Sequence, residues 1–183
     1  AITMARALDV SLETIQKALQ TLPPLKGRVE QFHTKKEAHK QLTAVVDYAH
    51  TPDSLTKLYE AFPDKQKVCV LGNTGGGRDT WKRPEMGAIA EKYCDHIILT
   101  NEDPYDEDPQ QIVEAMRRGM SEDAPVEIIM DRRSAIAHAL EIAPEGAYVL
   151  ISGKGTDPYI MGPNGSKEEW SDAAIVQELL QAL

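Results

Sequence analysis

Five short apolar runs, Ala44–Tyr48, Lys67–Gly72, His96–Thr100, Val126–Met130 and Ala147–Ser152, constrain this chain more than any other feature. Between them lie segments whose apolar residues recur at helical spacing: Pro52–Phe62, Arg83–Tyr93, Pro109–Met120 and Arg132–Ile142. Alternation of this kind confines the chain to βαβ units wound right-handedly about a mainly parallel sheet. Runs such as Val68-Cys69-Val70-Leu71 and Ile97-Ile98-Leu99 have no polar face, so helices must cover both sides of that sheet. Val29–His33 adds an edge strand, giving an α/β fold of about six strands flanked by helices. Toward the end, Tyr159–Gly162 and Lys167–Trp170 flank Pro163-Asn164-Gly165, a strand leaving through a tight turn, since Asn-Gly tolerates positive φ. Ser171-Asp172 then caps a last helix ending near Leu183.

At 183 residues the chain forms one domain with a short extension and can bury a core without staples. Lys and Arg total 20 against 29 Asp and Glu, a net charge of −9, so no nucleic-acid partner is expected. No apolar stretch could span a bilayer and no signal pattern opens the chain, so no membrane insertion is expected. Cys69 and Cys94 lack metal-ligand spacing and read as buried free thiols of a reducing cytoplasm. Leu8, Leu12, Ile15 and Leu19 share one helical face, which Pro23-Pro24 terminates. Ala1–Leu22 therefore reads as the helix closing a preceding domain and Pro23–Gly27 as a linker, placing the boundary between 1–26 and 27–183. The start without Met fits an excised piece.

In a parallel sheet, ligands gather at the carboxyl ends of the strands. Those ends carry Asp47–Pro52, Gly72–Asp79, Thr100–Tyr105, the Asp131 region and Gly153–Asp157, which predicts one shared site. Asp47 reads either as a helix cap or as a carboxylate taking two ribose hydroxyls, with the His50 imidazole beside it. Gly72–Asp79 is either a flexible turn or a loop whose amides approach an anion, with Arg78, Lys82 and Arg83 as cations nearby. It has neither the P-loop spacing nor the dinucleotide glycine pattern. The carboxylates from Glu102 to Asp108 form either a solvated face or, through Glu102 and Asp103, a seat for an ammonium group. Gly153 and Gly155 permit close backbone approach and Lys154 offers a cation, although a tight turn explains the glycines equally well. His138 reads as a packed histidine, and no Cys/His cluster suggests a zinc site.

In their joint order these blocks resemble the C-terminal domain of the Mur ligase superfamily. Gly27-Arg28-Val29-Glu30 resembles the Gly-Arg-Met-Glu element that opens it. Asp47-Tyr48-Ala49-His50-Thr51-Pro52, Gly75-Gly76-Gly77-Arg78-Asp79 with Lys82-Arg83-Pro84, Glu102-Asp103-Pro104 and Gly153-Lys154-Gly155 follow in the family's order. The resemblance runs from Gly27 to about Asp172 and is strongest to the branch adding the third residue of the peptidoglycan stem peptide. It implies a Rossmann-like domain of a bacterial cytoplasmic ligase, behind an N-terminal UDP-sugar domain and a central ATPase domain whose last helix Ala1–Leu22 resembles. It also implies ATP and Mg2+, held mainly by the central domain, and an acyl phosphate on UDP-MurNAc-L-Ala-D-Glu that the incoming diamino acid attacks. By the match, Arg28, Asp47, Tyr48 and His50 would face the nucleotide. Arg78, Glu102, Asp103, Pro104, Tyr105, Gly153, Lys154 and Asp157 would surround the incoming amino acid, with Arg78 on a carboxylate. No catalytic or metal-binding residue is expected here. Without a P-loop, the chain alone is expected to be inactive and to bind ATP poorly.

The chain departs from the family at two points. Members that use meso-diaminopimelate carry Asp-Asn-Pro-Arg, and here Tyr105 takes the place of that Arg. Tyr cannot pair bidentately with a carboxylate, and the acidic Glu102 and Asp103 suit a side-chain ammonium, so a lysine-like diamino acid is expected. The family's Gly-Lys-Gly-His-Glu becomes Gly153-Lys154-Gly155-Thr156-Asp157, whose shorter carboxylate reshapes the pocket. Two other readings are a folylpolyglutamate or cyanophycin-type ligase and a non-catalytic Rossmann-like binding module.

Overall fold

The structure, a computed structural model, describes residues 1–77 and 79–182. One sheet is built from β1 (Glu30–His33), β2 (Thr43–Asp47), β3 (Lys67–Leu71), β4 (His96–Leu99), β5 (Val126–Ile128) and β6 (Tyr148–Ser152). Its spatial order is β1-β2-β6-β3-β4-β5, with β1 antiparallel at one edge and the other strands parallel. The helices are α1 (Ile2–Ala7), α2 (Leu12–Thr21), α3 (Pro52–Glu60), α4 (Lys82–Tyr93), α5 (Pro109–Arg117), α6 (Arg132–Ile142) and α7 (Asp172–Gln181). A two-stranded hairpin, β7 (Tyr159–Met161) and β8 (Lys167–Glu169), turns through Asn164 and Gly165 at φ +54° and +73°. The expected mainly parallel α/β architecture is present.

The period-two alternation of strand side chains divides the core between two faces. Ala44, Val46, Val68, Val70, Ile98, Val149 and Ile151 pack against α6 and α7. Val45, Cys69, Leu71, Ile97, Leu99 and Leu150 face the opposite layer of α3, α4 and α5. Each fully buried Val, Leu or Ile side chain among them contributes about 1.5–3 kcal/mol. Strand β6 is reached through α6 on one face yet lies between β2 and β3, whose helices lie on the other. The crevice outside the carboxyl ends of β2, β6 and β3 is therefore the topological switch region where open α/β sheets bind ligands.

Two expectations are corrected. Cys69 and Cys94 are joined in a disulfide rather than free. Helix α4 leaves above β3 and runs back along it, bringing its C-cap to a Cα–Cα distance of 6.1 Å from the strand. The leading segment forms two short helices rather than one. Asp9 is left-handed at φ +60°, and Ser11 restarts the chain by accepting the Thr14 amide at 3.1 Å. Only Ile15 of the apolar stripe is buried, while Leu8, Leu12 and Leu19 are exposed.

Candidate functional site

The loop after β2 is built around one carboxylate. Helix α3 is capped not by Asp47 but by Thr51, in a capping box with Ser54 and with Pro52 in the first turn. Asp47 instead accepts the Ala49 amide on Oδ1 and the Val29 amide on Oδ2, both at 2.7 Å. His50 Nδ1 lies 2.8 Å from the Tyr48 carbonyl, which can only accept, so Nδ1 carries a proton. The Tyr48 ring meets His50 edge-on at 4.7 Å and carries the Arg28 guanidinium 4.3 Å above it. Burial, then the nearby Asp157 carboxylate, pushes the Tyr48 phenol above its ordinary range. Arg28, Asp47, Tyr48 and His50 thus form one cluster.

The glycine-rich loop after β3 is fixed by contact with the loop after β4. Gly75 donates to the Asp103 carbonyl at 2.7 Å, and a Cβ at Gly75 would lie 2.0 Å from the Pro104 carbonyl oxygen. Arg83 is internal. Its guanidinium bonds Asn73 Oδ1 and the Thr74 carbonyl at 3.3 Å each and pairs with Glu107 at 2.9 Å. Arg78, the residue expected on a substrate carboxylate, lies outside the described residues.

The loop after β4 places its acids differently from the sequence expectation. Glu102 is buried, with Oε1 accepting the Thr74 hydroxyl at 2.9 Å and Oε2 without a partner among the described residues. Burial pushes this carboxyl above its ordinary range, toward the neutral acid. Gly153, at φ +109°, passes so close that a Cβ there would lie 2.1 Å from Glu102 Oε2. Both Asp103 oxygens receive Lys154 Nζ at 2.8 Å, and Oδ1 also accepts the Met161 amide at 2.8 Å. Lys154 is 1% exposed and also donates to the Tyr159 carbonyl, so it ties two loops to the hairpin instead of projecting into solvent. Tyr105 follows Pro104 in left-handed conformation, φ +51°, with its amide on the Met161 carbonyl at 3.1 Å.

These loops wall a cleft of about 410 Å³. Tyr48 and His50 line it with Asp103, Tyr105 and Asp157, so members of both groups of expected site residues open onto one space, while Arg28, Asp47, Glu102, Pro104, Gly153 and Lys154 are not among its lining residues. Thr51, Pro52, Thr74, Gly75, Asp79, Trp81 and Lys82 complete the wall. Trp81 is 67% exposed there, and Lys82 is otherwise buried. Sequence reading missed Thr74 and Trp81 as site residues; their signal was adjacency to the glycine loop, which does not separate wall from surface. Behind the cleft, buried Arg132 makes a bidentate pair with Asp172 at 2.9 and 2.7 Å. The same guanidinium donates to the Ser152 carbonyl at 2.9 Å and the Asn101 carbonyl at 3.3 Å, bracing the ends of β4 and β6. Among the described residues, no trio of His, Cys, Asp or Glu could hold a metal ion. Among the same residues, no helix is long and apolar enough to cross a membrane.

Residues 27–155 match the family described as Mur ligase, glutamate ligase domain. A relative in Aquifex aeolicus (strain VF5), named UDP-N-acetylmuramoyl-L-alanyl-D-glutamate–2,6-diaminopimelate ligase, is 41% identical over 182 residues, covering 98% of this chain and 36% of its own. One of the same name in Thermosynechococcus vestitus (strain NIES-2133 / IAM M-273 / BP-1) is 41% identical over 162 residues, covering 87% and 32%. A solved structure under that name superposes with a TM-score of 0.76 at 31% identity, covering all of this chain and 37% of the other. Folylpolyglutamate synthase from Mycobacterium tuberculosis, solved with ADP and AMPPCP, shares the fold at a TM-score of 0.56 and 19% identity, over 79% of this chain and 33% of its own. The chain spans about a third of the length of the curated relatives it matches. On the match to 27–155, it belongs to the Mur ligase family, through the glutamate ligase domain.

Proposed function

We propose that this chain is the nucleotide- and amino-acid-facing domain of an ATP-dependent ligase that adds a diamino acid to UDP-N-acetylmuramoyl-L-alanyl-D-glutamate in peptidoglycan synthesis. The observation that carries the reading is the shared cleft, lined by Tyr48 and His50 together with Asp103, Tyr105 and Asp157. The names of the relatives at 41% identity support the same reaction. Arg28, Asp47, Tyr48 and His50 suit a nucleotide: a carboxylate for ribose hydroxyls, an aromatic pair for a base and a cation for phosphate. ATP would supply the phosphoryl group that activates the dipeptide carboxylate. No residue here is assigned to Mg2+; it belongs, in this reading, with the phosphate machinery of an upstream ATPase domain. The chain's partners would be that domain and an N-terminal UDP-sugar domain, in the bacterial cytoplasm. A disulfide is uncommon in a reducing compartment, but Cys69 and Cys94 are 0% and 6% exposed and so are shielded from thiols.

For the incoming amino acid, diaminopimelate now stands ahead of a lysine-like residue. The lysine preference needed Glu102 and Asp103 as open carboxylates, whereas Glu102 is buried toward neutrality and Asp103 is bound by Lys154. Asp157, 3.8 Å from Lys154 Nζ but half-exposed at the cleft, keeps an open side for an ammonium, and Lys82 lines the cleft as a cation for a distal carboxylate. The test is a mass-resolved ligation assay with the full-length protein, UDP-MurNAc-dipeptide, MgATP and a panel of lysine, ornithine and meso-diaminopimelate. Diaminopimelate product is expected, and lysine or ornithine product alone would reverse the preference. No product with any amino acid would end the third-residue assignment.

A further inference from the structure

The linker entering the domain carries left-handed backbone on both sides of Arg28: Gly27 at φ +59° and Val29 at φ +50°. At Gly27 it suits the residue, since a Cβ there would also lie 2.5 Å from the Gly155 carbonyl carbon. Val29 is different. A β-branched residue at positive φ is a true outlier and persists only where its surroundings over-determine it. Its side chain is exposed, so packing does not repay the strain. What holds it is Asp47, whose Oδ2 accepts the Val29 amide at 2.7 Å across 18 residues of sequence. Around that bond, Glu30 accepts the Gly27 amide at 2.7 Å and Arg28 lies on the Tyr48 ring. Upstream of it, Leu22 and Leu25 are exposed.

We propose that the Asp47–Val29 bond is a latch on this linker, and that a nucleotide ribose engaging Asp47 competes for Oδ2 and releases Val29 to extended backbone. This rests on the reading of Asp47 as nucleotide-facing. The carboxylate already holds the Ala49 amide on Oδ1 within a tight local turn. Each carboxylate oxygen can accept a second hydrogen bond, but a vicinal diol that draws on both shares Oδ2 with the Val29 amide and weakens that long-range bond first, because only that bond relieves strain when it breaks. The freed acceptor site on Oδ2 gives the unlatched state its higher affinity, which is what a ligand-driven shift requires. Occupancy of the nucleotide site then sets the freedom of the linker, and Val29 becomes a positioning residue for the ligase.

Residue-resolved amide hydrogen exchange on the full-length ligase tests this, with and without AMPPNP and Mg2+, binding being measured by calorimetry in the same buffer. Saturating AMPPNP is expected to lower protection at the Val29 amide roughly fivefold or more while Ala49 keeps its protection. Val29→Gly removes the positive-φ cost and should raise protection at residue 29 roughly 5- to 30-fold without nucleotide. AMPPNP binding that leaves Val29 unchanged or slower to exchange overturns the latch and spares the nucleotide reading. Absence of binding overturns both, and Val29→Gly with unaltered protection overturns the strain on which the latch depends.

Discussion

Glu102 shows how far burial moves a residue from its sequence-level meaning. Sequence reading treats it as an open acid; the fold buries it with one unpartnered oxygen and favours its protonated form. An acid whose pKa is raised on folding contributes stability that is complete below the unfolded pKa and lost as pH rises through the folded one. Glu102→Gln keeps the bond to Thr74 and removes the titration. It should melt a few degrees higher than wild type at about pH 8, with the gap closing toward about pH 4, each kcal/mol being worth about 2–4 °C. A variant that melts lower at the higher pH would show that the ionised form is the one the fold holds. Lys154 is reassigned in the same way. If it binds Asp103 and the hairpin rather than substrate, Lys154→Met leaves a buried carboxylate unpaired and costs about 3–5 kcal/mol, seen as a large fall in Tm. An unchanged Tm with a raised KM for the amino acid would return Lys154 to the ligand.

Between elements, what was legible depended on how local its cause is. The strands, the helices and the hairpin turn at Asn164-Gly165 were readable because period-two burial, helical spacing and positive φ are written in adjacent residues. The clustering of four loops at one end followed from parallel topology. Pairings across the sheet were not readable. Nothing near Cys69 announces Cys94, and nothing near Arg132 announces Asp172, 40 residues on. The break at Asp9 was missed because the apolar stripe runs through it, and a stripe records a face without recording whether one helix carries it. The Arg132–Asp172 pair joins the ends of β4 and β6 to α7. Asp172→Ala strands a buried guanidinium and should cost about 3–5 kcal/mol, or about 6–20 °C in Tm. Loss of less than about 1 kcal/mol would mean that the loops are held elsewhere.

At the scale of the molecule, the carboxyl edge of the sheet gathers, in the proposed reading, two sets of recognition residues around one cleft. Tyr48 and His50 come from the β2 loop, and Tyr105 and Asp157 from the β4 and β6 loops stapled by Asp103–Lys154, with Asp157 near enough to Tyr48 to add to burial in pushing its phenol up. This division is the central claim, and steady-state kinetics of the full-length ligase test it most directly. Tyr48→Ala should raise KM for ATP about tenfold or more and leave KM for the amino acid within about twofold, the loss of one aromatic contact being worth about 1–2 kcal/mol. Asp157→Ala should do the reverse. If both variants raise the same KM, or neither raises either, the two sets of residues do not divide the substrates between them and the assignment of this site is wrong.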